Sequence, residues 1–255
     1  MSDSNVHLGP LLIALLVIFT AAAALLVHLT LLTKGSEIVI AAVRATVQLA
    51  AVSLVIAWVL KSMLWTLVFV ASMIVIAAGT SAGRVSRNYR PRAWWTLAPI
   101  ALAVIPVVAL ILLSTAVPFK PLGVLPVAGI IIGGAMTVTS LTGKRATEEL
   151  HARKGEYEAA LSLGLTRRDA VHLVAKPAAA LALLPILDQT RTVGLVTLPG
   201  AFVGVLLAGA SPVQAGAAQL LVLISLLLVS SLASVITVEL VAAGRIAGPD
   251  GPVPE

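Results

Sequence analysis

Polar residues punctuate this chain so sparsely that seven apolar runs stand between them, near 10–32, 38–60, 62–82, 94–117, 122–142, 177–198 and 214–240. Each is long enough to cross a bilayer, which takes about 20 residues of α-helix. Lipid supplies no hydrogen-bond partners, so helices, which satisfy their own backbone, are the expected element throughout. The predicted fold is all-α: a polytopic helical membrane protein with about seven transmembrane helices in a single domain, 1–243. A Gly- and Pro-rich tail, 244–255, follows and is expected to be disordered. The one long polar stretch, 143–176, reads as a loop with room for two short helices. The apolar stretch 177–212 is too long for one upright span and is punctuated by Pro185 and Pro199. The piece after Pro199 is either re-entrant or the second half of a broken helix.

Composition narrows the picture further. The chain is 59% hydrophobic and only 11% charged, whereas a soluble domain carries about 25% charged residues. Its net charge of +6 is unevenly placed. If the 84–92 loop is cytoplasmic, alternation puts Lys34, Arg84, Arg87, Arg90, Arg92, the seven basic residues from Lys144 to Lys176, and Arg245 inside. The opposite loops keep only Lys61 and Lys120. That asymmetry follows the positive-inside rule and predicts an outside N-terminus and a cytoplasmic C-terminus. Charge arranged this way reports topology in the cell (inner) membrane, and no nucleic-acid partner is implied. The absence of cysteine removes disulfides, thiolate metal sites and thiol redox chemistry.

The polar loop carries the first candidate chemistry. Gly155-Glu156-Tyr157-Glu158-Ala159-Ala160 leads to Gly164, which suits a short helix stopped by a left-handed residue. Two small residues, Ala159 and Ala160, would let another protein approach its backbone closely. Thr166 is placed to cap the next helix, with Asp169 three residues on. Glu-Ala-Ala-x3-Gly resembles the coupling-helix motif of ABC-transporter permeases. Residues Glu156, Glu158, Ala159, Ala160 and Gly164 are then the ATPase-coupling candidates. No G-x-x-x-x-G-K-[ST] occurs in the chain, so the ATPase would be a separate polypeptide and this chain is not expected to be an enzyme.

Polar residues inside the apolar runs need a partner or a task, because charge in hydrocarbon is costly. Arg44 and Gln48 lie one turn apart in the second run, and Asp188, Gln189, Arg191 and Thr192 cluster in the sixth. At 1.5 Å per residue, Asp188 lies about 16 Å past Pro177 and Gln48 about 15 Å past Ile38. Asp188 and Arg191, at i and i+3, can form a structural ion pair or a station in a translocation path. Met136 offers a soft thioether or simple core packing. Glu239, at the end of the last run, is expected to reach water. Gly129 with Gly133, and Gly200 with Gly204, have the spacing of close helix packing in lipid.

Three stretches carry a more specific resemblance: Val43-Arg44-Ala45-x-x-Gln48-Leu49, then Leu125-Pro126-Val127-Ala128-Gly129 through Ala135-Met136, then Leu184-Pro185 through Asp188, Arg191 and Thr192-Val193-Gly194-Leu195-Val196-Thr197-Leu198-Pro199-Gly200. With the coupling loop they resemble the FetB family of bacterial iron-export permeases, and plant aluminium-tolerance permeases are similar. The resemblance implies the membrane half of an ABC transporter, a permease homodimer served by two copies of a P-loop ATPase. That ATPase would hold the ATP and Mg; this chain would bind no cofactor of its own. The implied solute is a metal ion, iron first, exported from the cytosol. Arg44, Gln48, Met136, Asp188, Gln189, Arg191 and Thr192 then stand as path residues, with Asp188, Gln48 and Met136 as metal-ligand candidates. Read from the residues alone, three alternatives remain: an ABC permease for a small organic or lipid-like solute, an ATPase-independent channel or proton-coupled carrier, and a non-transporting membrane scaffold.

Overall fold

A computed structural model describes residues 9–31, 33–85 and 94–246. The charges expected on 86–92 and the disorder expected of 247–255 lie outside the described residues. Among the described residues, seven helices are long and apolar enough to cross a membrane. The single domain expected over 1–243 is organised as two compact units, one ending at Lys61 and one starting at Ser62.

The first unit is a helical hairpin. Helix α1 (Pro10–Leu29) opens with a proline in its first turn, where the missing N–H costs nothing. Helix α2 (Gly35–Val59) returns alongside it. At their junction Gly35 lies against the Ala24 carbonyl, where a Cβ would stand 2.7 Å from the oxygen. No side chain of α1 is buried and only Val59 of α2 is. Two such helices gain little from each other, so their apolar surface requires lipid or other protein around it.

The second unit packs α3 (Met63–Val85), α4 (Leu97–Leu113), α5 (Pro121–Ala152), α6 (Lys154–Ser162), α7 (Arg167–Ala180), α8 (Leu184–Thr192), α9 (Gly200–Leu207) and α10 (Pro212–Ala242). Helices α5 and α10 are central; α5 touches α3, α4, α7 and α10, and α10 touches α4, α5, α7 and α9. One core joins α3, α4, α5 and α10 through Ile74, Ile100, Val104, Ile131, Ile132 and Val229. A second, of smaller residues, gathers Ala146 and Leu150 of α5, Ala170, Val171, Val174 and Ala175 of α7, and Val241 of α10. Buried hydroxyls tie the central helices: Ser140 to Ser81 at 3.1 Å and Thr142 to Ser234 at 3.2 Å.

Three expected boundaries move. The polar stretch 143–176 is not mainly loop, because α5 continues to Ala152 and α7 starts at Arg167 and runs through Pro177. Its charged residues alternate with small apolar ones that pack helix on helix, a pattern hydropathy alone does not register. The sixth span is Arg167–Thr192, shifted from 177–198. Pro185 lacks the N–H that would bond the Leu181 carbonyl, and the backbone tightens to a 3-10 turn over Leu181–Leu183 just before α8. At the other end the chain stays packed beyond Ala242, with Ile246 buried in the small-residue core.

The close-packing glycines are also other than expected. A Cβ at Gly133, Gly200 or Gly204 would meet nothing within 4 Å and one at Gly129 would lie 3.5 Å from Met73 Cε of α3, whereas one at Gly143 would stand 2.8 Å from Val85 Cγ2 and one at Gly134 2.5 Å from Leu226 Cδ2 of α10. Within one chain, it is Gly143 that lets α5 approach α3.

Candidate functional site

Helix α6 lies across the end of the unit where α5, α7 and α10 share the small-residue core. A single residue, Arg153, separates it from α5. Its guanidinium holds both sides of that corner: Nη1 donates to Glu149 of α5 at 3.3 Å, Nε donates to Glu156 Oε1 at 2.8 Å, and Nη2 donates to the other Glu156 oxygen. Those bonds hold the Glu156 carboxyl below the ordinary carboxylate value of 4.5. Tyr157 and Ala160 point inward and are buried, while Glu158 and Ala159 point outward. Of the two alanines expected to face a partner, Ala160 therefore faces the core, because Tyr157 fixes which side of the helix is buried. Glu158 makes only a loose pair with Lys154, at 3.7 Å.

The helix ends as its sequence predicts. Gly164 has φ +90°, its N–H bonds the Leu161 carbonyl, and the Leu165 N–H bonds that of Ala160. This turn leaves Leu163 82% exposed at the tip. Thr166 caps α7 by accepting from the Asp169 N–H at 3.2 Å, and its hydroxyl donates to the Asp169 carboxylate at 2.6 Å. Behind it, Arg168 grips Glu239 of α10 with two bonds of 2.8 and 2.7 Å, and His172 Nε2 lies 3.1 Å from the same carboxylate. Glu239, expected simply to reach water, instead ties α10 to α7. Arg153, Tyr157, Leu163 and Arg168 were not among the candidates read from sequence; for Leu163, an apolar residue directly before a helix-ending glycine was the available signal.

The second region lies along α8. Ile186 is buried against Val222 and Leu226 of α10, which turns Asp188, Gln189 and Arg191 to the exposed side. Arg191 Nη1 is 3.5 Å from Asp188 Oδ1, a marginal hydrogen bond. The Thr192 hydroxyl is taken by the Asp188 carbonyl at 2.9 Å. Beyond Thr192 the helix unwinds. Gly194, at φ +80°, bonds the Thr197 carbonyl, and Val193 and Thr197 form an isolated bridge. The buried side chain of Gln219 on α10 accepts from the Phe202 N–H at 3.2 Å and so caps α9.

The other expected path residues are elsewhere. Met136 packs against the core of α3, α4, α5 and α10. Arg44 and Gln48 belong to the first unit, where they line an apolar cleft of about 410 Å³ with Val39, Ile40, Val43 and Val47. Among the described residues no three His, Cys, Asp or Glu side chains come together.

Seven membrane-length helices, a charge-bearing broken span and a short helix capping one end define a multi-pass helical membrane protein. The chain belongs to the uncharacterised protein family UPF0014, whose model matches residues 10–244. It is 36% identical over 207 residues to the UPF0014 membrane protein STAR2 of Oryza sativa, covering 80% of this chain and 72% of that one. It is 33% identical over 195 residues to Protein ALUMINUM SENSITIVE 3 of Arabidopsis thaliana, covering 75% and 71%. It is 35% identical over 128 residues to the Escherichia coli protein named "Probable iron export permease protein FetB", covering 50% and 49%. No solved structure matches the chain.

Proposed function

We propose that this chain is the membrane-spanning permease of an ABC transporter, working as a homodimer with a separate P-loop ATPase that carries ATP and Mg. The observation that carries this reading is α6: a short helix braced by Arg153 and Tyr157, presenting Glu158, Ala159 and the Leu163 tip outward. Those outward groups would seat in the ATPase, and Glu156 and Gly164 would shape the helix from within the chain. The end of the bundle carrying α6 is cytoplasmic in this reading, the N-terminus lies outside and the C-terminus inside, following the basic residues around it. Asp188, Gln189, Arg191 and Thr192 form the polar part of the path in the second unit, and Arg44 and Gln48 that in the first. Oxygen ligands such as Asp188 and Gln48 suit a hard cation held briefly. Met136, packed in a core, is the weakest ligand candidate.

The solute proposed is a metal ion leaving the cytosol, iron first, supported by the name of the Escherichia coli relative. The test is ATP hydrolysis in proteoliposomes holding this chain and its proposed separate P-loop ATPase. Ferrous iron is expected to stimulate turnover, and Asp188→Asn to remove the stimulation while the chain still binds the ATPase. Glu158→Lys is expected to abolish coupling with membrane insertion intact. Turnover indifferent to every divalent metal would overturn the metal assignment, and failure to bind an ATPase would overturn the permease assignment.

A further inference from the structure

The charged side of α8 and the irregular turn 193–199 are costly to leave against lipid. Ile186 packs on Val222 and Leu226 of α10, about 15 and 21 Å along that helix from Pro212 at 1.5 Å per residue. Asp188, two residues on, therefore stands beside inner turns of α10 rather than at its end, with Arg191 one turn beyond. Their side chains are 67% and 69% exposed. The turn that follows is irregular backbone, pinned near the Gln219 level by the cap on α9, with Leu195 88% and Val196 78% exposed. Backbone of that kind at membrane depth is tolerated only against protein or a water-filled cavity. Gly200 and Gly204 follow, four apart, with open space at both Cβ positions, a surface that admits a neighbouring helix closely.

The charge pattern selects the neighbour. One acid and one base, three residues apart, match themselves when the face is rotated by a two-fold axis. We infer that the α8–α9 face is the interface with a second copy of this chain, in which Asp188 of each copy meets Arg191 of the other. The marginal 3.5 Å pair within one chain is exchanged for two pairs across the axis. The inference deepens the homodimer of the proposed permease and rests on that reading for its partner, but it requires no ATPase.

The chain contains no cysteine, so single-cysteine variants of the full chain report directly in native membranes. Under an oxidant, Leu195→Cys is expected to form a disulfide-linked dimer, and Leu102→Cys, on the 60% exposed flank of α4, is not. A second measurement separates pairing between chains from pairing within one. Differently tagged Asp188→Arg and Arg191→Asp chains, each carrying Leu195→Cys, are co-expressed. Neither chain can pair internally, so across-axis pairing favours the mixed dimer over either like dimer by about tenfold or more. Equal mixed and like dimers would overturn the pairing. Leu195→Cys that cross-links no better than Leu102→Cys would overturn the interface. Cross-linked dimers that bind no ATPase would instead overturn the permease reading and leave the interface standing.

Discussion

At the α6 end, Tyr157 and Ala160 fill a core of small residues, and Arg153, Glu149, Glu156, Arg168 and Glu239 find one another within the chain. On the α8–α9 face, Asp188 and Arg191 are two-thirds exposed, the backbone is irregular, and two glycines open onto empty space. Both regions belong to the same unit and both are polar, yet one is finished and the other is not. The difference separates two uses of polarity in a membrane chain. Polar groups that satisfy each other make a rigid part, and polar groups left waiting define where something else must sit.

Substitutions can break or sharpen that contrast. The largest effect is expected from Tyr157→Ala, which empties the inner face of α6 and should cost about 3 kcal/mol of stability, read as a lower Tm in detergent. Gly143→Ala drives a Cβ to 2.8 Å from Val85 Cγ2 and 3.0 Å from Cγ1. Val85 is stiff at χ1, so an overpacking cost of about 2 kcal/mol, less about 1 from helix propensity, should leave a net loss of about 1 kcal/mol in the same melt. Thr166→Ala removes the cap on α7 and should cost about 1 kcal/mol, with faster hydrogen exchange at the Asp169 N–H. Leu195→Ala, on the unfinished face, should leave the separated chain within about 0.5 kcal/mol of the parent while lowering dimer yield in membranes. A larger loss in the separated chain would show that the face already has a partner within it.

The pH response sharpens the finished region. Glu156 is held below 4.5 by Arg153, so the clamp's stabilisation is fully present above 4.5 and is lost as pH falls through the lowered folded value. The stability gap between the parent and Glu156→Gln should be flat at neutral pH and close on acidification, when followed by melting at successive pH values.

The spans were legible because lipid imposes one rule on every helix that crosses it. Gly164 and the Thr166 cap were legible because both are local, each needing only a residue type and its near neighbours. The ends of α5 and α7 were not, since Ala146, Leu150, Val171 and Val174 are buried by other helices rather than by lipid, and their windows contain Lys144, Arg145, Arg167 and Arg168. The sidedness of Ala159 and Ala160 depended on where Tyr157 found a core. The Arg168–Glu239 pair joins residues 71 positions apart, a distance no local pattern spans. Asp188 and Arg191 were singled out correctly as neighbours on one face, but their exposure and the unwound backbone beyond them emerged only in three dimensions.

Helix α5 has a mechanical consequence. Its 32 residues are continuous from the Arg153 corner to Pro121, a rod about 48 Å long at 1.5 Å per residue. A rod braced near one end is a lever, and swinging it by about 5° carries the far end about 4 Å, more than the width of a water molecule. A small push at the Arg153 corner would therefore be carried to the opposite end of the bundle together with the α3, α4 and α10 side chains packed along the rod.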